Sequence, residues 1–260
     1  ARGVSYRGAL VYLNDLEGKI TKFNLTNLSG TTLYDKTTLF NAGSNSTNGR
    51  YMYHSMDATI GQTTNALWLY SGTGDYERIG SRNKGTDNLM LGIADPDYPL
   101  FKSVKVATKA DDLTKCKNTS KDSSGALCPQ LPGNRGWYIQ LKDYKKVTAE
   151  PTVSSGLVYF PIYSPSSSVN KCSLGDAFIC AVDDECGTNI SSRLGKNTGA
   201  QKNAECFYVG QGVLSRIVTF AGKLFANIAG QSTQAKKDLV TLDGATADVT
   251  TYRSSWRYNY

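Results

Sequence analysis

Apolar residues in this chain gather in short runs, separated by clusters of Gly, Asn, Asp and Ser. Gly8-Ala9-Leu10-Val11-Tyr12-Leu13 is such a run, and Asn14-Asp15-Leu16-Glu17-Gly18 is a turn. Lys19-Ile20-Thr21-Lys22-Phe23-Asn24-Leu25 follows, with Ile20, Phe23 and Leu25 as its apolar members. A run, an Asx/Gly turn and a second run predict a β-hairpin. Asp15 caps that turn and Gly18 accepts its positive φ. The arrangement returns along the chain. Ala66-Leu67-Trp68-Leu69-Tyr70 ends in Ser71-Gly72-Thr73-Gly74, and Asn88-Leu89-Met90-Leu91-Gly92-Ile93-Ala94-Asp95 is its expected partner. The strand from Ser155 to Tyr163 is expected to pair with Asp176 to Asp183. Val213 to Phe220 leads through Ala221-Gly222 to Lys223 to Ala229, and Asp238 to Leu242 follows.

The strand starts near 9, 66, 157 and 223 are unevenly spaced, and about four blade-like units are legible. Propeller repeats of ~40–50 residues make four-stranded blades. No stretch longer than a turn or two reads as a capped amphipathic helix; the nearest are Ala110 to Lys115 and a short piece near Lys142. The expected fold is therefore all-β, a partial modified β-propeller with long loop insertions, with a β-sandwich as second choice. The longest insertion, 109–136, is rich in Lys, Asp, Ser and Asn and reads as an exposed loop.

Composition narrows the function. The chain has 260 residues, 40% of them hydrophobic, enough for a sizeable core. No run approaches the ~18–20 apolar residues of a membrane span. The net charge of +7 is dispersed, with no block of five like charges, so nucleic acid is not an expected partner and a solvated basic surface is. The start, Ala1 to Tyr6, lacks an apolar leader, which predicts a mature or truncated chain. Its abrupt entry into a strand predicts the C-terminal portion, 1–260, of a longer propeller.

Six cysteines, Cys116, Cys128, Cys172, Cys180, Cys186 and Cys206, lack C-x-x-C spacing. An even count at irregular spacings predicts three disulfides and an oxidising compartment. Closing Cys116 to Cys128 would stabilise the insertion by roughly 3 kcal/mol in the chain-entropy account. Six cysteines allow ~15 pairings; nearest-neighbour closure favours Cys116–Cys128, and the other pairings stay open, with Cys172–Cys180 and Cys186–Cys206 as a first guess.

Enzyme motifs fail in turn. There is no G-x-S-x-G and no P-loop. Gly72-Thr73-Gly74-Asp75-Tyr76-Glu77 begins like a dinucleotide fingerprint but ends on Glu77 and lacks the helix that would take a phosphate. It reads as a turn. The one histidine, His54, lies between Tyr53 and Ser55, with Asp57 nearby. A Ser–His–Asp constellation can be drawn there, but a packed or surface histidine is the simpler account. Asp183-Asp184-Glu185 and Asp95-Pro96-Asp97 do not follow the calcium pattern D-x-[DN]-x-[DN]-G, and the first reads as a strand-end turn. No catalytic or metal residue is assigned. Sixteen tyrosines and three tryptophans are mostly strand packing, with a share left for binding surfaces.

Several of these segments resemble the PilC/PilY family of type IV pilus tip-associated adhesins and biogenesis factors. Val11 to Phe23, Leu67 to Gly74 and Leu89 to Asp95 resemble its last propeller segments. Ala177 to Asn189, Gly212 to Gly230 and Arg253 to Arg257 are similar to the Neisseria-type PilC branch. The resemblance implies an exported propeller at the pilus tip or outer membrane, on the cell surface. It implies a non-catalytic part in pilus assembly and adhesion, with minor pilins and a host receptor as partners. Members of that family carry a calcium loop of alternating aspartates, which this sequence does not contain. Two other readings are a quinoprotein-type propeller dehydrogenase and a carbohydrate-binding propeller, the latter with tyrosines and tryptophans as stacking faces. The dehydrogenases often use adjacent cysteines, and no two cysteines here are neighbours.

Overall fold

The computed structural model describes residues 9–25, 33–116, 135–168, 174–194, 205–230 and 239–244. The chain opens with β1 (Leu10–Asn14), β2 (Lys19–Asn24) and β3 (Lys36–Asn41), an antiparallel first sheet. The β1–β2 turn is closed as its residues dictate: the Asp15 carboxylate accepts the Lys19 N–H at 3.0 Å, and Gly18 sits at φ +72°. The second sheet begins with β4 (Asp57–Ile60), β5 (Leu67–Gly72) and β6 (Leu89–Asp95). The chain then returns to the first sheet, where β7 (Thr108–Lys109) pairs parallel with β3. After a 3₁₀ turn at Ala110–Asp112, β8 (Thr114–Cys116) lies parallel to β9 (Gly136–Gln140), which pairs with β6. The segment expected as a loop from 109 onward thus starts inside a sheet: alternate residues of β8 find backbone partners on β9 before the chain leaves the described region.

The third sheet comprises β10 (Lys146–Val147), β11 (Thr152–Ser154), β12 (Leu157–Ser164), β13 (Asp176–Asp183) and β14 (Phe207–Gln211). In the fourth, β15 (Val213–Leu214) and β16 (Val218–Phe220) pair with β17 (Lys223–Ala229), which pairs with β18 (Leu239–Asp243). Helical structure among the described residues is two 3₁₀ turns, at Ala110–Asp112 and Ser191–Arg193. The expected pairings of β1 with β2, β5 with β6 and β12 with β13 are all present.

Period-2 side-chain alternation explains why the middle strands are apolar throughout. On β5, Trp68 and Tyr70 enter the core shared with the third sheet, while Leu69 enters the core shared with the first. On β6, Met90 and Ala94 face one way, and Leu89, Leu91 and Ile93 the other. On β12, Val158, Phe160 and Ile162 meet the second sheet, and Leu157 and Tyr159 meet the fourth. Each middle sheet is therefore covered on both faces, and burial of each such large side chain contributes roughly 1.5–3 kcal/mol. Trp137 of β9 packs where glycines leave room. A Cβ on Gly92 would lie 2.6 Å from its ring, and one on Gly187 2.5 Å. Gly72 plays the same part for Val147, whose side chain would lie 2.3 Å from an added Cβ. That glycine, read from sequence as a turn residue, answers to sheet packing instead.

Candidate binding face

The first strands of the second, third and fourth sheets lie side by side along one edge of the array. Polar groups stitch them together. The Asp57 carboxylate on β4 accepts the Val153 N–H of β11 at 2.8 Å. The Ser55 hydroxyl donates to the Glu150 carboxylate at 2.6 Å, and Arg216 meets the same carboxylate at 3.0 Å. Ser55, Glu150 and Arg216 come from 42–56, the gap between β10 and β11, and the gap between β15 and β16. Both gaps interrupt a pairing edge, which frees polar side chains for the cross-sheet chain. His54 sits beside it. Its backbone carbonyl accepts the Asn14 amide at 2.6 Å, and its ring meets Tyr76 edge-on with centroids 5.1 Å apart. Burial pushes its pKa below the ordinary histidine value, against the opposing charge of Glu150.

The Ser–His–Asp arrangement drawn from sequence is not assembled by these residues. Ser55 is bonded to Glu150 rather than to His54, and the Asp57 carboxylate takes the backbone N–H groups of Ala58 and Val153. Three tyrosines gather instead. Tyr51 and Tyr53 meet edge-on at 6.3 Å, and Tyr53 and Tyr76 lie 6.4 Å apart. Burial, then the charges of Glu77 and Asp75, raise the pKa of Tyr53, so its hydroxyl stays a donor at neutral pH. The segment bearing Tyr76 is fixed from below. Lys146 Nζ donates to the carbonyls of Arg78, Ile79 and Ser81 at 2.6, 2.8 and 3.1 Å. The Asp75 carboxylate accepts both the Arg78 N–H at 3.2 Å and its Nε at 2.7 Å.

Lys146, expected on a solvated basic surface, is 2% exposed, and Lys22 of β2 is fully buried as well. For Lys22 the signal was present in the sequence. Alternation along β2 puts Lys22 on the same face as Ile20, whereas Phe23, grouped with Ile20 as apolar, takes the other face. Glu150 and Arg216 had no such signal, because their meeting depends on how three sheets stack.

The cysteines pair differently from expectation. Cys180 is bonded to Cys206, with Cα atoms 4.4 Å apart and a sequence separation of 26. The register explains it: Phe178 faces Tyr208 and Ile179 faces Phe207, so the next position sets Cys180 opposite Cys206. The expected Cys172–Cys180 and Cys186–Cys206 bridges are therefore replaced. Cys186 is also disulfide-bonded, with a partner other than Cys206. Cys116 is a buried free thiol donating to the Cys186 carbonyl at 3.2 Å, so the expected Cys116–Cys128 closure is not formed. Burial pushes the Cys116 thiol up to about 12, which keeps it protonated and unreactive. Cys128 and Cys172 lie outside the described residues.

Asp183-Asp184-Glu185 forms the strand-end turn read from sequence: Asp183 accepts the N–H groups of Glu185 and Cys186, and Gly187 takes φ +65°. Glu185 reaches across to accept the N–H groups of Thr63 and Thr64 at 2.7 and 2.9 Å. Among the described residues no group of three His, Cys, Asp or Glu side chains is arranged to hold a metal ion. None of their helices is long and apolar enough to cross a membrane.

The fold these sheets define is a modified β-propeller. Among solved structures it is similar to the crystal structure of the Pseudomonas aeruginosa PilY1 C-terminal domain, with a TM-score of 0.60 and 12% sequence identity. The likeness covers 90% of this chain and 57% of that one, so the chain spans little more than half the length of that domain. At this identity the likeness is one of fold. BamB from Moraxella catarrhalis aligns over 96% of this chain and 70% of its own, at 12% identity, but with a TM-score of 0.23, too low for a shared superposition. No family model and no curated protein matches the chain.

Proposed function

We propose that this chain is a non-catalytic propeller module of the PilC/PilY family, from the PilC branch, acting in type IV pilus biogenesis and adhesion. In this reading it works outside the cell, at the pilus tip or outer membrane, and engages minor pilins and a host-cell receptor. The observation that carries it is the 0.60 superposition on the PilY1 domain over nine-tenths of the chain, with family-like segments recurring in order. The Cys180–Cys206 bridge supports an oxidising compartment, where such bonds persist. The face built from 42–56, 73–88, Glu150 and Arg216 is the expected contact surface. Its rings and ion pairs are fixed before any partner arrives, which lowers the ordering cost of association. Pull-down of purified minor pilins and of intact pili by the immobilised chain tests the proposal. Retention of either is expected; retention of neither would overturn it.

A further inference from the structure

We propose that the tyrosine platform at the loop end of the second sheet is a saccharide-binding site, with Tyr76 and Tyr53 as stacking faces and the Asp75–Arg78 pair as hydrogen-bonding groups for ring hydroxyls. The proposal rests on reading this face as the contact surface, and not on which pilus component the chain meets. Tyr76 is 45% exposed although it lies in a segment held by the buried Lys146 ammonium, so its exposure is built in rather than a product of fraying. Its ring is buttressed from two sides, by His54 edge-on and by Tyr53 at 6.4 Å. A pyranose offers one flat C–H face, matched in size to a phenol ring, with hydroxyls around its rim. The rim groups have counterparts here. The Arg78 guanidinium, two residues along from Tyr76, is half exposed and supplies donors for them. Asp75 and Arg78 are joined at 2.7 Å, which places an acceptor and donors side by side, the spacing that bridges neighbouring hydroxyls.

This composition assigns the saccharide to the tyrosine platform alone and leaves the rest of the face to protein partners. Protein interfaces centre on a desolvated apolar core inside a polar rim. Within 42–56 and 73–88, Tyr76 is the one exposed large apolar side chain, and no aliphatic group accompanies it. Exposed aliphatic side chains lie outside these two segments, at Leu13 and Leu16 of the β1–β2 hairpin and at Val218 and Leu239 of the fourth sheet. The buried Trp68 and Trp137 take no part, which narrows the aromatic stacking role to tyrosines.

Saturation-transfer NMR on the whole chain at neutral pH tests this, with the methyl glycosides of glucose, galactose, mannose and N-acetylglucosamine as probes. Saturation of the C–H face of at least one probe is expected, with affinity falling at least tenfold in Tyr76→Ala and in Arg78→Ala. Phe220→Ala, at a distant exposed ring, is expected to leave binding unchanged. A thermal melt of each variant separates lost binding from lost folding, and Arg78→Ala, at an exposed side chain, keeps the test valid if Tyr76→Ala fails to fold. Saturation of none of the four probes overturns the proposal. So does binding that both variants leave unchanged, or pilin capture lost in Tyr76→Ala with no glycoside bound. Glycoside binding without pilin capture sustains the saccharide site while overturning the pilus assignment.

Discussion

The junction between the first and second sheets and the junction between the second and third each bury a lysine, and they satisfy it by different means. At the first junction Lys22 Nζ lies 2.7 Å from the Asp95 carboxylate and 2.7 Å from the Leu100 carbonyl. The rings of Tyr12 and Phe101 lie 5.8 Å away, and the Tyr12 hydroxyl donates to the same Asp95 at 2.8 Å. Charge meets charge, and the carboxylate is further satisfied by a phenol. At the second junction Lys146 meets carbonyl oxygens of a single loop. Burial there pushes its pKa down to about 8, because dipoles compensate a desolvated ammonium less fully than a carboxylate would. The first lysine fastens two sheets to one another. The second fastens a loop, and through it the tyrosine platform. The junctions differ in their apolar filling too: the second is built on Trp68, Trp137 and Phe160 and lined by the Cys180–Cys206 bridge of the third sheet, whereas the first relies on Ile, Leu and Met side chains with Phe40.

The sharpest way to break this contrast is Asp95→Ala. It leaves the Lys22 ammonium buried without its counter-charge, and breaking such a pair costs about 3–5 kcal/mol. Guanidinium denaturation is expected to show that loss. Lys22→Met combined with Asp95→Asn is expected to recover much of it, and a double variant no more stable than Asp95→Ala would refute the ion-pair account. At the second junction Cys206→Ala removes a link spanning 26 residues. The expected loss is about 3.5 kcal/mol in the chain-entropy account, read from the same denaturation series. Intact-mass labelling under native conditions is expected to leave Cys116 unmodified until the chain unfolds.

Lys146→Met is expected to cost less, about 1–2 kcal/mol at pH 7, because the lost hydrogen bonds are offset by relief of a desolvated charge. Its signature lies in pH. The folded-state pKa is near 8, below the ordinary 10.5, so between these values the unfolded chain binds more protons. The burial cost is fully present below pH 8, and stability gains from this group as pH rises toward 10.5. That gain is expected to vanish in the variant, and amide exchange at 78–81 is expected to quicken. The smallest effect belongs to Asp184→Asn. Burial, followed by the charges of Asp183 and Glu185, raises the Asp184 pKa from 3.8 to about 6. The folded chain therefore holds that proton more tightly, and the stability it lends at low pH is lost as pH rises through 4 to 6. Thermal melts across that range are expected to separate wild type from variant, with the variant less sensitive to pH.

Much of the fold was legible because it is local. The hairpins at Asp15-Gly18 and Ala221-Gly222, and the strands around them, follow from turn chemistry and alternation within about fifteen residues. The cysteine pairing was not legible. Nearest-neighbour closure favours short loops, but a disulfide needs its two Cβ atoms adjacent, and the β13–β14 register decided that. The face was half legible: His54 and the tyrosines drew notice as residue types, while Glu150 and Arg216 are ordinary surface residues in any window of sequence.

What the sequence alone determined, then, is an all-β chain of short hairpins rich in paired apolar runs, with no enzyme motif assembled along it. Those properties rest on backbone preference and period-2 patterning, which act between neighbours. What only the tertiary structure decided is which distant side chains meet: Lys22 with Asp95, Lys146 with the 78–81 carbonyls, Glu150 with Ser55 and Arg216, and, within the third sheet, Cys180 with Cys206. Such contacts join residues up to 95 positions apart. They are fixed by sheet stacking and strand register, which depend on the packing of the whole core and on no single stretch of the chain.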